Sequence, residues 1–151
     1  MKQRALSAFL SRHQTYAADT MVFIYHFEDN RRFAPLTEKL LEAWENGSRQ
    51  GVTSIITLLE VLVKPKRDEN WDAVRDYRDL LVTFPNLKLI PVDASCAEKA
   101  SDVRARYGIK IPDAIQIAAA LIGDASAFVT NDQELKQVTE LDVILLEELL
   151  R

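Results

Sequence analysis

A single cysteine, Cys96, excludes an intrachain disulfide and any thiolate metal cage built from one chain. Its neighbours Ala94, Ser95 and Ala97 are small, so it reads as a helix-packing residue, not a reactive thiol. Glycine is scarce as well, with four in 151 residues, and proline numbers five. With no Ser/Gly linker, fixed-period repeat or low-complexity tract, nothing marks an internal boundary, and one domain over residues 1–151 is expected. Long apolar runs are missing, since no segment approaches the roughly 20 apolar residues that a bilayer span needs. The short apolar stretch Ala5-Leu6-Ser7-Ala8-Phe9-Leu10 meets Arg12 and His13 too soon for a secretory signal, so a cytoplasmic protein with no membrane partner is expected. Also absent are a Gly-rich phosphate loop, a Gly-x-Ser-x-Gly elbow and a Cys/His cluster, which removes nucleotide-binding, serine-hydrolase and zinc readings. An excess of positive charge is lacking too: the net charge of -4 argues against binding polyanions by bulk charge, though not against a nuclease whose acids are offset by bound metal.

What is present is an alternation of strand and helix. Four β-rich runs stand out, at residues 51–54, 87–92, 127–130 and 142–146. Between them lie helical patterns at 36–45, closed by Asn46-Gly47; at 70–82, closed before Pro85; at 94–107, closed by Gly108; and at 112–122, closed by Gly123. Pro112 sits just inside its helix, as expected there. Such alternation predicts a parallel sheet covered on both faces. One segment is ambiguous: Met21-Val22-Phe23-Ile24-Tyr25 is a strand by propensity, yet it could open a buried helix after a short strand at Thr15-Tyr16-Ala17-Ala18.

Four carboxylates stand in apolar or hydroxyl surroundings: Ala18-Asp19-Thr20, Leu59-Glu60-Val61, Pro112-Asp113-Ala114 and Asn131-Asp132. Desolvating a carboxylate costs free energy, so each requires a compensating partner. No Lys or Arg lies within three residues of Asp19, Glu60 or Asp132, and only Lys110 is that close to Asp113. If these acids come together, a divalent metal is the natural counter-charge. Glu60 is the hardest to explain by packing, because Leu58, Leu59, Val61, Leu62 and Val63 surround it. Taken one at a time the others have plain alternatives: Asp113 as an acid on a helix dipole, Asp132 as an N-cap for residues 133–138, and Asp19 bonded to its own backbone.

Taken in order, the strings Asp19-Thr20, Ser54-x-x-Thr57-x-x-Glu60, Asp113-Ala114-x-x-x-Ala118-x-Ala120 and Thr130-Asn131-Asp132 resemble the PIN-domain family over roughly residues 15–146. The resemblance implies an α/β fold, a three-layer α/β/α domain with a parallel sheet of about five strands. It also implies that residues 21–27 are helical, against their propensity. It further implies a metal-dependent endoribonuclease that uses Mg²⁺ or Mn²⁺. Asp19, Glu60, Asp113 and Asp132 would serve as catalytic metal ligands, with Thr20, Ser54, Thr130 and Asn131 as polar groups behind them or against phosphate. The subtype implied is a VapC-like toxin ribonuclease, acting on RNA, restrained by an antitoxin protein and often dimeric. A stand-alone PIN nuclease stays open. So does a non-catalytic Mg²⁺-binding module, although an apolar-flanked Glu60 has no role there. An aspartate-nucleophile hydrolase is disfavoured, because Thr20-Met21 stands where a second Asp is expected.

The remaining polar features read plainly. Residues 1–14 form an extension whose Ala5, Leu6, Phe9 and Leu10 recur at helical spacing. Arg31-Arg32, Lys64-Pro65-Lys66-Arg67 and the stretch 104–110 are candidate RNA-steering cations with a solvated face as the alternative. His13 and His26 have no companion at ligand spacing, and Trp44 and Trp71 read as packing or interface residues.

Overall fold

The computed structural model describes residues 4–151. Five parallel strands, β1 (Thr15–Ala18), β2 (Gln50–Ser54), β3 (Leu87–Ile90), β4 (Ala127–Thr130) and β5 (Asp142–Leu145), form one sheet in the order β3-β2-β1-β4-β5. The helices are α1 (Arg4–Arg12), α2 (Thr20–Phe27), α3 (Ala34–Glu45), α4 (Ile56–Arg67), α5 (Trp71–Val82), α6 (Ala94–Tyr107), α7 (Ile111–Ile122) and α8 (Leu146–Leu149), with a 3-10 turn at Gln133–Gln137. The predicted runs all become strands, trimmed at two ends. β3 stops at Ile90 because Pro91 has no N–H for the ladder, and Leu146 opens α8 instead of extending β5.

Alternation along the central strands separates two cores. Tyr16 and Ala18 of β1, with Ala127 and Val129 of β4, pack against α1 to α5 and α8. Ala17 and Phe128 point the other way, onto α6, α7 and the 3-10 turn. This is the three-layer α/β/α arrangement.

Residues 21–25 are helical despite their β-prone side chains. Asp19, in extended conformation, accepts the Met21 N–H and caps α2, while Val22 and Phe23 are buried. Tertiary burial here overrides propensity. The extension is helical from Arg4, with Leu6 and Phe9 in the first core; the expectation for residues 1–3 lies outside the described residues. Where the chain leaves α1, His13 is buried, with Nδ1 2.7 Å from Ser126 Oγ and Nε2 2.9 Å from Asp142 Oδ2. Trp44 is fully buried against Tyr16 and Phe23, whereas Trp71 is exposed. Cys96 is buried in the second core, and burial pushes its thiol pKa up. Among the described residues no helix is long and apolar enough to cross a membrane.

Candidate active site

Strand order turns around at β1: β2 and β3 follow on one side of it, β4 and β5 on the other. In open parallel sheets the crevice at such a point, outside the carboxyl ends of the strands, receives ligands. Asp19 lies one residue past β1. The β1–β4 register pairs Ala18 with Val129, so Asp19 falls beside Thr130. Its N–H donates to the Val129 carbonyl at 3.1 Å, and the Thr130 hydroxyl donates to Asp19 Oδ2. Thr130 Oγ1 also accepts the Asp132 N–H at 3.1 Å. One hydroxyl thus joins the ends of two strands.

A cavity of about 360 Å³ opens here, walled by Asp19, Thr20, Met21 and Ile24 from the α2 side, Glu60 and Val63 from α4, and Pro112, Asp113 and Gln116 from α7. Among the described residues its lining holds three carboxylates and no Lys, Arg or His. Burial pushes the Asp19 carboxyl up to about 6, against hydrogen bonds from Thr130 and backbone that favour the ionised form, with the Asp113 charge adding to the rise. Asp113 is likewise raised, by burial first and then by the charges of Asp132, Glu60 and Glu134, while Lys110 draws it down. Asp113 is therefore within electrostatic reach of each of the other three acids. Among the described residues, however, no three His, Cys, Asp or Glu side chains are drawn together tightly enough to form a ready-made metal site.

The individual placements differ. Glu60 is not entombed as its neighbours suggested: α4 turns Leu59 and Val63 outward, 62% and 49% exposed. Glu60 stands half-buried on the cavity wall, where it takes a 2.6 Å hydrogen bond from the Thr20 hydroxyl. Lys64, one turn further along α4, points to Glu28 at 3.5 Å and leaves Glu60 without it. Asp113 occupies the first turn of α7, so its dipole role and its place on the wall coexist. Asp132 does not line the cavity; it caps the 3-10 turn, accepting the Glu134 N–H at 3.0 Å, and reaches the site through its charge on Asp113. Ser54 is fully buried, its hydroxyl accepts the Ile56 N–H, and it is not among the residues that wall the cavity. Asn131 donates to Tyr25 Oη at 3.4 Å.

Sequence reasoning missed the layer beneath. Gln116, 3% exposed, binds Thr20, Thr57 and the Ser54 backbone, and Thr53 joins Thr57 at 2.7 Å. Its one sequence signal is a lone amide in the apolar run of α7, on the same face as Asp113 one turn earlier.

A family model described as PIN domain matches residues 16–141. The chain belongs to the PIN-domain family. Solved structures share the fold. A chain of a toxin-antitoxin complex from Klebsiella pneumoniae is similar at 25% identity and TM-score 0.64, over 85% of this chain and 95% of that one. In VapBC2 from Rickettsia felis, bound to a promoter DNA fragment, a chain is 18% identical with TM-score 0.68, over 87% and 98%. In VapBC-1 from nontypeable Haemophilus influenzae the values are 20% and 0.65, over 88% and 98%. No curated protein matches in sequence. Membership puts the chain in a family of nucleases, and in this PIN domain the acid-walled cavity lies within the matched span, as do all four acids.

Proposed function

We propose that this PIN domain is a metal-dependent endoribonuclease and the toxin of a type II toxin-antitoxin pair. The observation that carries the nuclease reading is the cavity at the turn in strand order, walled by Asp19, Glu60 and Asp113 with no cationic side chain among them. An all-oxygen, acid-rich donor set suits a hard divalent cation such as Mg²⁺ or Mn²⁺, and the Asp19 and Asp113 carboxyls, raised by burial first and by neighbouring acids second, would gain a counter-charge from it. Asp19, Glu60 and Asp113 would hold the ion, and Asp132 would add negative charge beside Asp113. Such an ion, when bound, acidifies an attacking water and neutralises the phosphodiester oxygens.

The chain's own groups set the geometry. Thr130 holds the Asp19 carboxylate by donating to Oδ2, Thr20 holds Glu60, and the α2 N-terminus keeps Asp19 Oδ1 engaged through the Met21 N–H. Met21, Ile24 and Val63 supply the apolar part of the wall beside the carboxylates. Lys110, at the start of α7, provides positive charge beside Asp113 where an RNA backbone would approach.

The toxin assignment is supported by the likeness to chains of toxin-antitoxin complexes, and the partner implied is an antitoxin protein. The test is cleavage of end-labelled structured RNA in Mg²⁺, Mn²⁺ or EDTA, with Asp19→Asn and Asp113→Asn alongside. Cleavage that requires metal and disappears in both variants is expected. Cleavage that persists in either variant, or in EDTA, would overturn the reading.

A further inference from the structure

We infer that Gln116 is a positioning residue that fixes the direction of a buried hydrogen-bond chain ending on the Glu60 carboxylate. The inference rests on the reading of Glu60 as a cation ligand. Gln116 Oε1 accepts the Ser54 N–H at 3.3 Å, which settles the amide's orientation, because a flipped amide would set two donors against each other. Its Nε2 then donates to Thr57 Oγ1 at 2.9 Å and to Thr20 Oγ1 at 3.2 Å.

Each threonine has one proton, and the rest of the chain follows by counting them. Thr53 donates its proton to the Ala18 carbonyl at 2.8 Å, so in the 2.7 Å Thr53–Thr57 contact Thr57 is the donor. Thr20, already an acceptor from Gln116, has its proton left for Glu60 Oε1 at 2.6 Å; the alternative acceptor, Thr57 Oγ1, is at 3.4 Å. Gln116, Thr20, Thr53 and Thr57 are all buried, and Thr53 and Thr57 lie off the cavity wall, where bulk water does not substitute for a lost partner. A single amide thereby ties α7 to the end of β2, to α4 and to α2, and it does so one turn below Asp113 on the same helix.

The readout is Mn²⁺ affinity of the full chain, measured by the paramagnetic resonance of unbound Mn²⁺, for wild type, Gln116→Met, Thr20→Val and the double variant. Loss of a group that orients a metal ligand weakens affinity by about tenfold or more. Gln116→Met and Thr20→Val are each expected to do so, and the double variant is expected to be no weaker than the worse single, because both break one chain. Thr20→Ser, which keeps the hydroxyl, restores the affinity. Wild-type affinity in Gln116→Met, or losses that multiply in the double variant, would overturn the inference. Should Gln116→Met fail to fold, Thr20→Val and its rescue by Thr20→Ser decide alone: no loss, or no rescue, refutes it. Asp113→Asn separates the two readings. If wild type binds Mn²⁺ and Asp113→Asn does not, a normal Gln116→Met sinks only this inference, whereas no uptake by wild type sinks both.

Discussion

Asp19 caps α2 by accepting the Met21 N–H, and the burial that comes with that position raises its carboxyl pKa to about 6. An acid whose folded-state pKa exceeds its unfolded value of 3.8 favours the fold while it is protonated. That contribution is complete below pH 3.8 and is lost as pH rises through 6, so at neutral pH the ionised group costs the metal-free fold on the order of 3 kcal/mol. Asp19→Asn keeps an Oδ1 acceptor for the cap and removes the charge. It is expected to raise the thermal midpoint of the metal-free protein at pH 7 and to leave it nearly unchanged at pH 4, as calorimetry at the two pH values would report; a lower midpoint at pH 7 would contradict this. Gly51 is constrained differently: a Cβ there would sit 2.4 Å from the Trp44 ring. Gly51→Ala forces this buried indole to shift and is expected to cost about 1–3 kcal/mol in denaturant unfolding.

At the level of elements, α1 is bound into the fold. Phe9 is fully buried and stacks edge-on to Tyr16, and Ala5 N–H donates to the Arg151 carbonyl, tying α1 to the segment that follows α8. Phe9→Ala is expected to lower stability by about 3–5 kcal/mol, measured by denaturant titration, and a loss under 1 kcal/mol would show that α1 is an appendage. α3, α6 and α7 are legible because their punctuation is local, Asn46-Gly47, Gly108 in the left-handed conformation and Pro112 in the first turn, whereas α4, which ends without such a signal, is given no bounds by the sequence. α2 was not legible from propensity, since Val22, Phe23, Ile24 and Tyr25 suit a strand; the capping carboxyl and the core contacts of Val22 and Phe23 decide it, and neither is a local preference. Glu60 was identified for a reason that the structure revises. Its apolar neighbours looked like burial, but Leu59 and Val63 face solvent, and the carboxylate is distinguished by its bond from Thr20 across to another helix.

Across the whole molecule, residues 94 positions apart in sequence, Asp19 and Asp113, share one cavity because β1 lies at the centre of the sheet and α7 packs back against its neighbours. The acids themselves could be picked out in the sequence because carboxylates amid apolar residues without nearby cations require an explanation. Their unequal roles could not. That Asp132 and Ser54 stand off the cavity wall and that Gln116 on it bonds Thr20, Thr57 and the Ser54 backbone are consequences of register and packing. The most direct test of the central claim is the thermal midpoint of wild type, Asp19→Asn and Asp113→Asn with and without millimolar Mn²⁺, at pH 7 and pH 5. A cation bound by these acids stabilises the fold by mass action, about 2.7 kcal/mol at one hundred times its dissociation constant. Wild type is expected to gain several degrees at pH 7 and clearly less at pH 5, where protons compete for Asp19, while both variants gain little. An Mn²⁺ response that is absent in wild type, or undiminished in Asp19→Asn and Asp113→Asn, would contradict the assignment of this cavity as a cation-dependent catalytic centre.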